Sequence, residues 1–482
     1  MKQTNTPGPE TSHPGIVQRV GAAPAAIRRG AALTLQGRVH GVSGMMVEVA
    51  GLAGHSAIGD RITLSAQAGS ANVAAPRSGA DQLAGQVVAE IVGFRAGQAC
   101  ALTFGTLDGL GPVAIAVTSF PRVRGAQLAV DSGWLGRVVD PMGCPIDQLG
   151  PLSAGPLRPV RAAPLAAATR ARLGPRIDLG VRVLDLFTTC RQGQRLGLFA
   201  GSGVGKSTLL SMLAQQAQCD VAVLALVGER GREVREFLED DLGPAGLARS
   251  VVVVATSDQP PLMRREAAYA AMTIAEHFRD EGKSVLLLMD SVTRFCLALR
   301  EIGLAAGEPP ATRGYPPSVF AELPRLLERA GPGPDRGPTV PTGHITALFT
   351  ILVEGDDHNE PVADAVRGIL DGHVVLDRRI GEAGRYPAVD VLRSLSRTVP
   401  GCNTVDENRL TRRARSILAL QAELADLVRL GAYRPGTDAA SDEALRLAPR
   451  IEAVLQQTKL DPCGLAEAFS QLRTALEEPD AA

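Results

Sequence analysis

A glycine-rich run in the middle of the chain has the residue types needed to hold a row of phosphates. Its glycines let backbone N–H groups curl around phosphate oxygens, and a following helix N-terminus adds partial positive charge. Lys206 is expected to reach the β and γ phosphates of a nucleotide, and the Ser207 hydroxyl to ligate Mg²⁺, as in the Walker A motif. Ala200 stands where the strict motif has glycine, which is tolerable if that position needs no positive φ. The run follows an apolar segment, opens one with helical spacing, and consists of Gly201, Ser202, Gly203, Val204, Gly205, Lys206, Ser207 and Thr208.

Two acidic residues follow apolar segments that are typical of buried strands. Asp290 comes directly after Val285-Leu-Leu-Leu-Met289, as in the Walker B motif. A parallel strand delivers such a carboxylate to the sheet edge where ligands bind, so we expect Asp290 to join the Mg²⁺ shell through water. Glu229 follows the apolar run 221–227 and is a candidate to orient the attacking water, with Arg230 nearby to balance charge. Its position alone fits a solvated loop residue equally well.

The elements that must position these residues fall into distinct regions. From about residue 33 to 120, short apolar runs alternate with glycine-rich turns, which predicts a small β-barrel. Apolar strands then alternate with helical segments such as 266–278, which predicts a mostly parallel sheet covered on both faces. The strands are expected at 195–200, 221–227, 251–256, 284–290 and 345–353. After residue 400 the apolar spacing is helical.

We therefore predict an α/β fold: a RecA-like P-loop core with a mostly parallel sheet, preceded by a small barrel and followed by a helical domain. The expected divisions are a mobile arm at 1–30, the barrel at 31–125, the core at 126–398 and the helical domain at 399–482.

The charge balance argues against nucleic acid as the main partner. The chain has 50 basic and 51 acidic residues, so any contact with a polyanion must be local. Seven cysteines without a C-x-x-C pair argue against a disulfide framework or zinc cluster, and no apolar run is long enough to cross a membrane. We therefore expect a soluble, cytoplasmic protein. The first 47 residues are locally basic, and this arm either is solvated or makes a weak contact with anionic lipid; its basic residues are Lys2, Arg19, Arg28, Arg29 and Arg38.

Together, these motifs resemble the rotary-type ATPases of the F1/V1 class and, within it, the type III protein-export ATPases. The resemblance covers nearly the whole chain. Glu229 lies in Gly228-Glu-Arg-Gly-Arg-Glu233, which is similar to the segment of catalytic subunits whose glutamate positions the attacking water. Non-catalytic subunits have glutamine there, so the resemblance implies a catalytic subunit. The runs 289–295, 299–310 and 313–320 look like the export ATPases rather than ATP synthase.

The resemblance also implies residues that complete the nucleotide site. Arg397 matches the arginine finger that stabilises charge on the γ-phosphate of the neighbouring subunit, with Arg378 as a weaker competitor. Arg279 matches a further arginine of the site. Tyr386 and Tyr433 match the adenine pocket, where flat rings stack on the base, although core packing is the usual role of a tyrosine.

The family implies a homohexameric ring that hydrolyses Mg-ATP and works at the inner face of the cell membrane. The implied partners are a regulator protein on the N-terminal arm, a central stalk protein, chaperone–substrate complexes and a membrane export gate. The segment 301–313 would lie toward the central channel of the ring, or would be a structural loop that supports the site. The loop at 330–343 is longer and richer in Pro and Gly than we expect for the family, so no function is assigned to it.

Both flagellar and virulence export systems use such ATPases. The runs 354–364, 382–390 and 430–433 look more like the flagellar branch, and a virulence injectisome ATPase is the alternative. A non-enzymatic ring subunit is a second alternative, and the presence of glutamate at position 229 argues against it. The third is an RNA- or DNA-stimulated RecA-like hexameric translocase, which would need aromatic residues on the barrel. Region 33–120 offers Phe94, Phe104 and Phe120, and no Tyr or Trp.

Overall fold

The computed structural model describes residues 33–65, 86–111, 114–120, 126–337, 339–353 and 360–477. The predicted arm at 1–30 lies outside these residues. So do positions 354–359 of one run that favoured the flagellar branch.

Six strands close an antiparallel barrel in the order β1-β2-β5-β4-β3-β6, which confirms the predicted barrel. Aliphatic side chains such as Val47, Ile62 and Ile91 fill its interior. The Glu90 carboxylate of β4 accepts hydrogen bonds from Arg161 (3.0 Å) and Arg265 (2.6 Å), so charged contacts join the barrel to the next part of the chain. The strands are β1 (Leu33–Ser43), β2 (Met46–Ala50), β3 (Arg61–Ser65), β4 (Gln86–Arg95), β5 (Gln98–Thr103) and β6 (Ile115–Phe120).

Thirteen further strands occur among the described residues, and most of them belong to one large sheet. Its order is β19-β18-β12-β17-β15-β13-β14-β8, with β16 added to β17, and all pairs except β18–β19 and β16–β17 are parallel. In chain order these strands are β7 (Gln127–Ala129), β8 (Arg137–Val139), β9 (Leu157–Pro159), β10 (Arg176–Ile177), β11 (Cys190–Arg191), β12 (Arg195–Ala200), β13 (Val221–Glu229), β14 (Ser250–Thr256), β15 (Ser284–Asp290), β16 (Gly331–Pro332), β17 (His344–Leu352), β18 (Gly372–Val375) and β19 (Leu395–Ser396).

Helices cover both faces of this sheet and form the C-terminal part of the described chain. The predicted helix at 266–278 is longer in the structure, and the three C-terminal helices agree with the predicted helical spacing. The α-helices are Arg182–Phe187, Lys206–Gln216, Gly231–Glu236, Gly243–Ala248, Pro261–Asp280, Val292–Ala306, Pro317–Leu327, Pro361–Ile369, Arg378–Glu382, Val405–Arg429, Ala439–Leu455 and Leu465–Glu477. Short 3-10 turns lie at Ser132–Trp134 and Thr312–Gly314, and a π-helical turn at Phe237–Leu242.

The central strands are apolar throughout because both of their faces are buried. In β13, Leu224 and Leu226 pack into the layer that contains the helix Lys206–Gln216 and the C-terminal helices. Val223 and Val227 of the same strand pack into the opposite layer, under the helix Pro261–Asp280. Because successive side chains of a strand point to opposite faces of the sheet, one strand contributes side chains to both hydrophobic layers.

The strand order decides which residues meet at the carboxyl edge of the sheet. The strands β12, β17, β15 and β13 are consecutive neighbours and parallel, so their carboxyl ends lie side by side. Ligands of open α/β sheets bind at this edge. The predicted core strands are confirmed to within two residues, whereas the sheet also contains β8, β16, β18 and β19, which were not predicted from the sequence.

No helix within the described ranges has both the length and the apolar character needed to cross a lipid bilayer.

Candidate nucleotide site

The glycine-rich run forms a loop between β12 and the helix that begins at Lys206. Gly203 (φ 76°) and Gly205 (φ 85°) adopt left-handed backbone conformations, which glycine reaches without strain. Gly205 is the N-cap of the helix, so the free N–H groups of its first turn face the loop. Ala200 is the last residue of β12 and has no positive φ, which is why it can replace the glycine of the strict motif.

Lys206 and Asp290 meet at the carboxyl edge. The Lys206 ammonium contacts both carboxylate oxygens of Asp290, which is 4% exposed at the end of β15. Thr350 of β17 donates its hydroxyl hydrogen bond to Asp290 Oδ1 over 2.8 Å and is fully buried. The carboxylate is therefore held between a cation and a fixed hydroxyl. Thr350 could not be predicted from its local sequence, because only the strand order brings β17 beside β15.

Glu229 lies at the end of β13, beside this pair. Its Oε1 is 3.7 Å from Lys206 Nζ, and its side chain is 14% exposed. The pairing of β13 with β14 shifts by one residue at Gly228 (φ 74°). This β-bulge bends the end of the strand, where Glu229 lies. Burial raises the pKa of Glu229 to about 7; Lys206 opposes this rise and the negative charge of Asp290 adds to it. A carboxylate with a pKa near neutrality has the protonation behaviour of a general base.

The arginine beside Glu229 is Arg294, which the sequence analysis did not single out. Its Nε lies 3.9 Å from Glu229 Oε1, and a Cβ added to Gly228 would come within 2.9 Å of its side chain. A local signal was available: Arg294 lies four residues after Asp290, in the first turn of the helix Val292–Ala306. That turn starts from the same sheet edge as the carboxylate.

Arg279 is not brought to the phosphate loop of its own subunit. It is buried near the end of the helix Pro261–Asp280, where it pairs with Asp280 over 2.8 Å. The strand β15 starts only a few residues later, so Arg279 belongs to the amino edge of the sheet. The six steps from Ser284 to Asp290 separate the two edges by about 20 Å.

Tyr386 lies against the phosphate loop. A Cβ added to Gly205 would be 3.2 Å from its ring, and 45% of the tyrosine is exposed, so one face of the ring is accessible. The C-terminal helices hold this segment in place. The N–H of Gln457 donates to the carbonyl of Tyr386 over 2.8 Å, and Arg385 pairs with Glu452 over 2.6 Å.

The side chains of the remaining predicted residues have partners other than Lys206 and Glu229. Arg230 is exposed and pairs with Glu233 over 3.5 Å. Arg378 donates to the carbonyl of Ser202 over 3.1 Å, so it belongs to its own phosphate loop and does not have the position of a finger for a neighbouring subunit. Tyr433 lies between two C-terminal helices and donates its hydroxyl to Asp442 over 2.8 Å; no contact with the phosphate loop is found among the described residues.

Arg397 lies at the opposite edge of the sheet. Its backbone N–H donates to the carbonyl of Asp371 over 3.0 Å, and the Asp371 carboxylate in turn accepts from the N–H of Arg195, the first residue of β12. The strand separates this point from Ala200 by about 16 Å. The exposed Arg397 side chain therefore lies far from the phosphates that its own subunit would hold.

The donor set fits Mg²⁺ bound together with a nucleotide. The described residues contain no cluster of three or more His, Cys, Asp and Glu side chains that would form a protein cage for a metal. Mg²⁺ usually takes one or two protein ligands together with phosphate oxygens and water. The exposed Ser207, which follows Lys206 in the chain, and the Asp290 carboxylate that Lys206 contacts match that pattern.

Sequence comparison identifies the family. The flagellum-specific ATP synthase of Caulobacter vibrioides is 51% identical to this chain over 94% of the chain and 98% of that protein. The chain belongs to the type III protein-export ATPases. In this export ATPase, residues 180–396 match the family described as "ATP synthase alpha/beta family, nucleotide-binding domain", and residues 404–474 match "T3SS EscN ATPase C-terminal domain". It is thus an ATPase by family.

Other relatives include both branches of the family. The flagellum-specific ATP synthase of Bacillus subtilis is 45% identical over 90% of this export ATPase and 94% of that protein. A type 3 secretion system ATPase of Xanthomonas euvesicatoria is 49% identical over 76% of the chain and 80% of that protein. The flagellar relatives from Caulobacter vibrioides and Bacillus subtilis match a larger share of the chain, 94% and 90% against 76%, which favours the flagellar branch.

Solved structures give the same fold. The assembled ATPase EscN from the type III secretion system of enteropathogenic E. coli matches with a TM-score of 0.79 and 36% identity, over 91% of this chain and 100% of that chain. EscN in complex with its central stalk EscO matches with a TM-score of 0.78 over the same shares.

Proposed function

We propose that this protein hydrolyses Mg-ATP in a homohexameric ring and thereby drives type III export of flagellar proteins. The observation that carries the proposal is the division of the site between two edges of one sheet. Lys206, Glu229 and Asp290 converge at the carboxyl edge, while the exposed Arg397 lies about 16 Å away along β12. Such a chain needs a neighbour to complete its site.

Each converging residue has a distinct role. Lys206 and the N–H groups at the helix N-terminus bind the β and γ phosphates, and Ser207 and Asp290 would hold Mg²⁺, which would neutralise phosphate charge. Glu229 accepts a hydrogen bond from the attacking water and takes up its proton as the water oxygen bonds to the γ-phosphorus and the bond from that phosphorus to the bridging oxygen of the leaving ADP breaks. Arg294 balances the charge of Glu229 within the same subunit. The ring of Tyr386 stacks on adenine, with Tyr433 as a further predicted contact.

The neighbouring subunit supplies Arg397. An arginine finger stabilises the negative charge that develops on the transferred phosphoryl group. A ring is supported by the likeness to the assembled EscN structure, and a stalk partner by the EscN–EscO complex. A regulator protein on the N-terminal arm, chaperone–substrate complexes and the membrane export gate complete the proposed set of partners at the inner face of the membrane.

The nucleic-acid translocase finds little support on the barrel. Phe104 is 8% exposed and packs under the Arg61 guanidinium, which leaves Phe94 as an exposed aromatic ring on the described barrel surface. Stacking platforms for single strands use several such rings. Single-stranded RNA is therefore expected to leave the ATPase rate unchanged, and strong stimulation would contradict the export function.

The test compares three variants across protein concentration. Lys206→Ala should weaken ATP binding, and Glu229→Gln should bind ATP without turnover. The rate per subunit of the wild type should rise as rings assemble, whereas Arg397→Ala should assemble and stay slow. Normal turnover by Glu229→Gln, or equal rates per subunit in monomers and rings, would contradict the proposal. In the source bacterium, loss of the gene should abolish flagella, and loss of injectisome secretion alone would indicate the other branch.

A further inference from the structure

We infer that Gln194 is a positioning residue that holds Arg397 in the orientation needed to reach the neighbouring subunit. This inference rests on the proposed finger role of Arg397. Gln194 is fully buried just before β12, and its side chain touches the residues on both sides of Arg397.

All four hydrogen-bonding positions of the Gln194 amide are used. Its Nε2 donates to Ser396 Oγ over 2.8 Å and to the carbonyl of Asp371 over 3.2 Å. Its Oε1 accepts from Thr398 Oγ1 over 3.0 Å and from the N–H of Arg191 over 3.0 Å. An amide side chain has two donors and two acceptor sites, so this group is saturated. No polar atom of it remains for another partner.

These contacts fix both neighbours of Arg397. The hydroxyl of Ser396 also donates to the carbonyl of Thr189 over 3.0 Å, and the hydroxyl of Thr398, which donates its proton to Gln194, lies 3.2 Å from the same carbonyl oxygen, so both side chains point inward. Successive side chains of an extended segment point to opposite sides, which directs Arg397 outward to solvent. The carbonyl of Asp371 accepts from both Gln194 and the Arg397 N–H, so the amide also braces the backbone of the finger.

A role in positioning predicts an effect on turnover and not on nucleotide affinity. A displacement of about 1 Å in a catalytic group can cost about a hundredfold in rate. Gln194→Met keeps the length of the side chain and removes its hydrogen bonds. It should lower the turnover of assembled rings by about tenfold to a hundredfold, with the dissociation constant for a fluorescent ATP analogue changed less than about twofold.

Mixed rings separate a positioning role from a folding defect. Glu229→Gln subunits have an inactive site and an intact finger, whereas Gln194→Met subunits have an intact site and a misplaced finger. In a one-to-one mixture, about one interface in four pairs an intact site with an intact finger, so two nearly inactive proteins should together regain about a quarter of wild-type turnover. Recovery of this size would show that the site of the Gln194→Met subunit is sound.

Ser396 and Ser394 lie on the same segment as Arg397 and provide a test variant and its matched control. Ser396→Ala removes a hydroxyl that bonds Gln194, and it should reproduce the turnover defect and the recovery in mixed rings even if Gln194→Met fails to fold. Ser394→Ala removes a buried hydroxyl that bonds Val375 and Asp390 instead, and it should leave turnover unchanged.

The results distinguish this inference from the proposed function. If Arg397→Ala is impaired and recovers with Glu229→Gln, but Gln194→Met and Ser396→Ala keep full turnover or fail to recover in mixed rings, the positioning role of Gln194 is wrong. If Arg397→Ala itself keeps full turnover in rings, the finger assignment fails instead.

Discussion

The Glu229→Gln change should stabilise the folded protein while it removes turnover. The side chain of Glu229 is largely buried, and it shares the Lys206 ammonium with Asp290, which contacts that ammonium more closely. Burial raises the pKa of Glu229 from 4.5 to about 7. The ionised carboxylate is therefore unfavourable in the folded state, and a neutral amide of the same shape avoids that cost.

The magnitude follows from the linkage between proton binding and folding. Because the folded-state pKa is raised, the folded protein binds more protons than the unfolded chain between about pH 4.5 and pH 7, and its stability falls as the pH rises through this window. The raised pKa of Glu229 destabilises the folded wild type, relative to a group that never ionises, by about 3 kcal/mol above pH 7 and by about 1.5 kcal/mol at pH 5.5. The advantage of Glu229→Gln over the wild type should therefore grow by about 2 kcal/mol between pH 5.5 and pH 8.

Denaturant unfolding of both proteins at pH 5.5 and pH 8, without added nucleotide, measures this difference. A stability gain of about 3 kcal/mol at pH 8 should also raise the melting temperature by several degrees, because 1 kcal/mol corresponds to about 2–4 °C for a domain of about 150–250 residues. Glu239→Gln is the matched control, because it removes an exposed carboxylate that pairs with Arg235 at the protein surface. A stability difference that does not change with pH, or a variant less stable than the wild type at pH 8, would refute the reasoning.

Three further outcomes concern catalysis and binding. The value of kcat/KM should rise about tenfold per pH unit below pH 7 and level off above it, because Glu229 must lose its proton to act as a base; a flat profile in steady-state assays would exclude that role. Arg294→Ala should lower kcat by about tenfold or more with a smaller change in ATP affinity, and an effect on affinity alone would assign Arg294 to binding. Tyr386→Ala should weaken ATP binding by about fivefold to a hundredfold in a titration, while Tyr386→Phe keeps the stacking ring and the affinity.

Much of the fold was predictable because the signals are local. The core strands are apolar on both faces, so their runs mark their positions to within two residues. The strands β8, β16, β18 and β19 were missed because they have only three, two, four and two residues and carry no periodic pattern. They exist as strands because neighbouring strands offer hydrogen-bonding partners.

Site residues were predictable where they come at or just after the end of an apolar run that marks a strand. Lys206, Glu229 and Asp290 were found in this way, and the structure brings them together. Thr350 required the strand order, because it comes from a neighbouring strand, whereas Arg294 lies in the helix after β15 and could have been found from its position four residues after Asp290. Arg279 was assigned by resemblance of a short run, and the structure places that run at the other edge of the sheet.

One strand links the two half-sites of each subunit. The carboxyl end of β12 leads into the phosphate loop, and its amino end adjoins Gln194 and the segment of Arg397. Five of its six residues are buried, and it pairs with β17 on one side and β18 on the other, so we expect the two ends to move together. We therefore expect that a subunit that closes around its own nucleotide would also move Arg397, the proposed finger for the site of its neighbour. Turnover by wild-type rings should depend sigmoidally on ATP concentration, and the residual turnover of Arg397→Ala rings hyperbolically, because the arginine carries the link between sites. A hyperbolic curve for wild-type rings would show that the strand does not couple them.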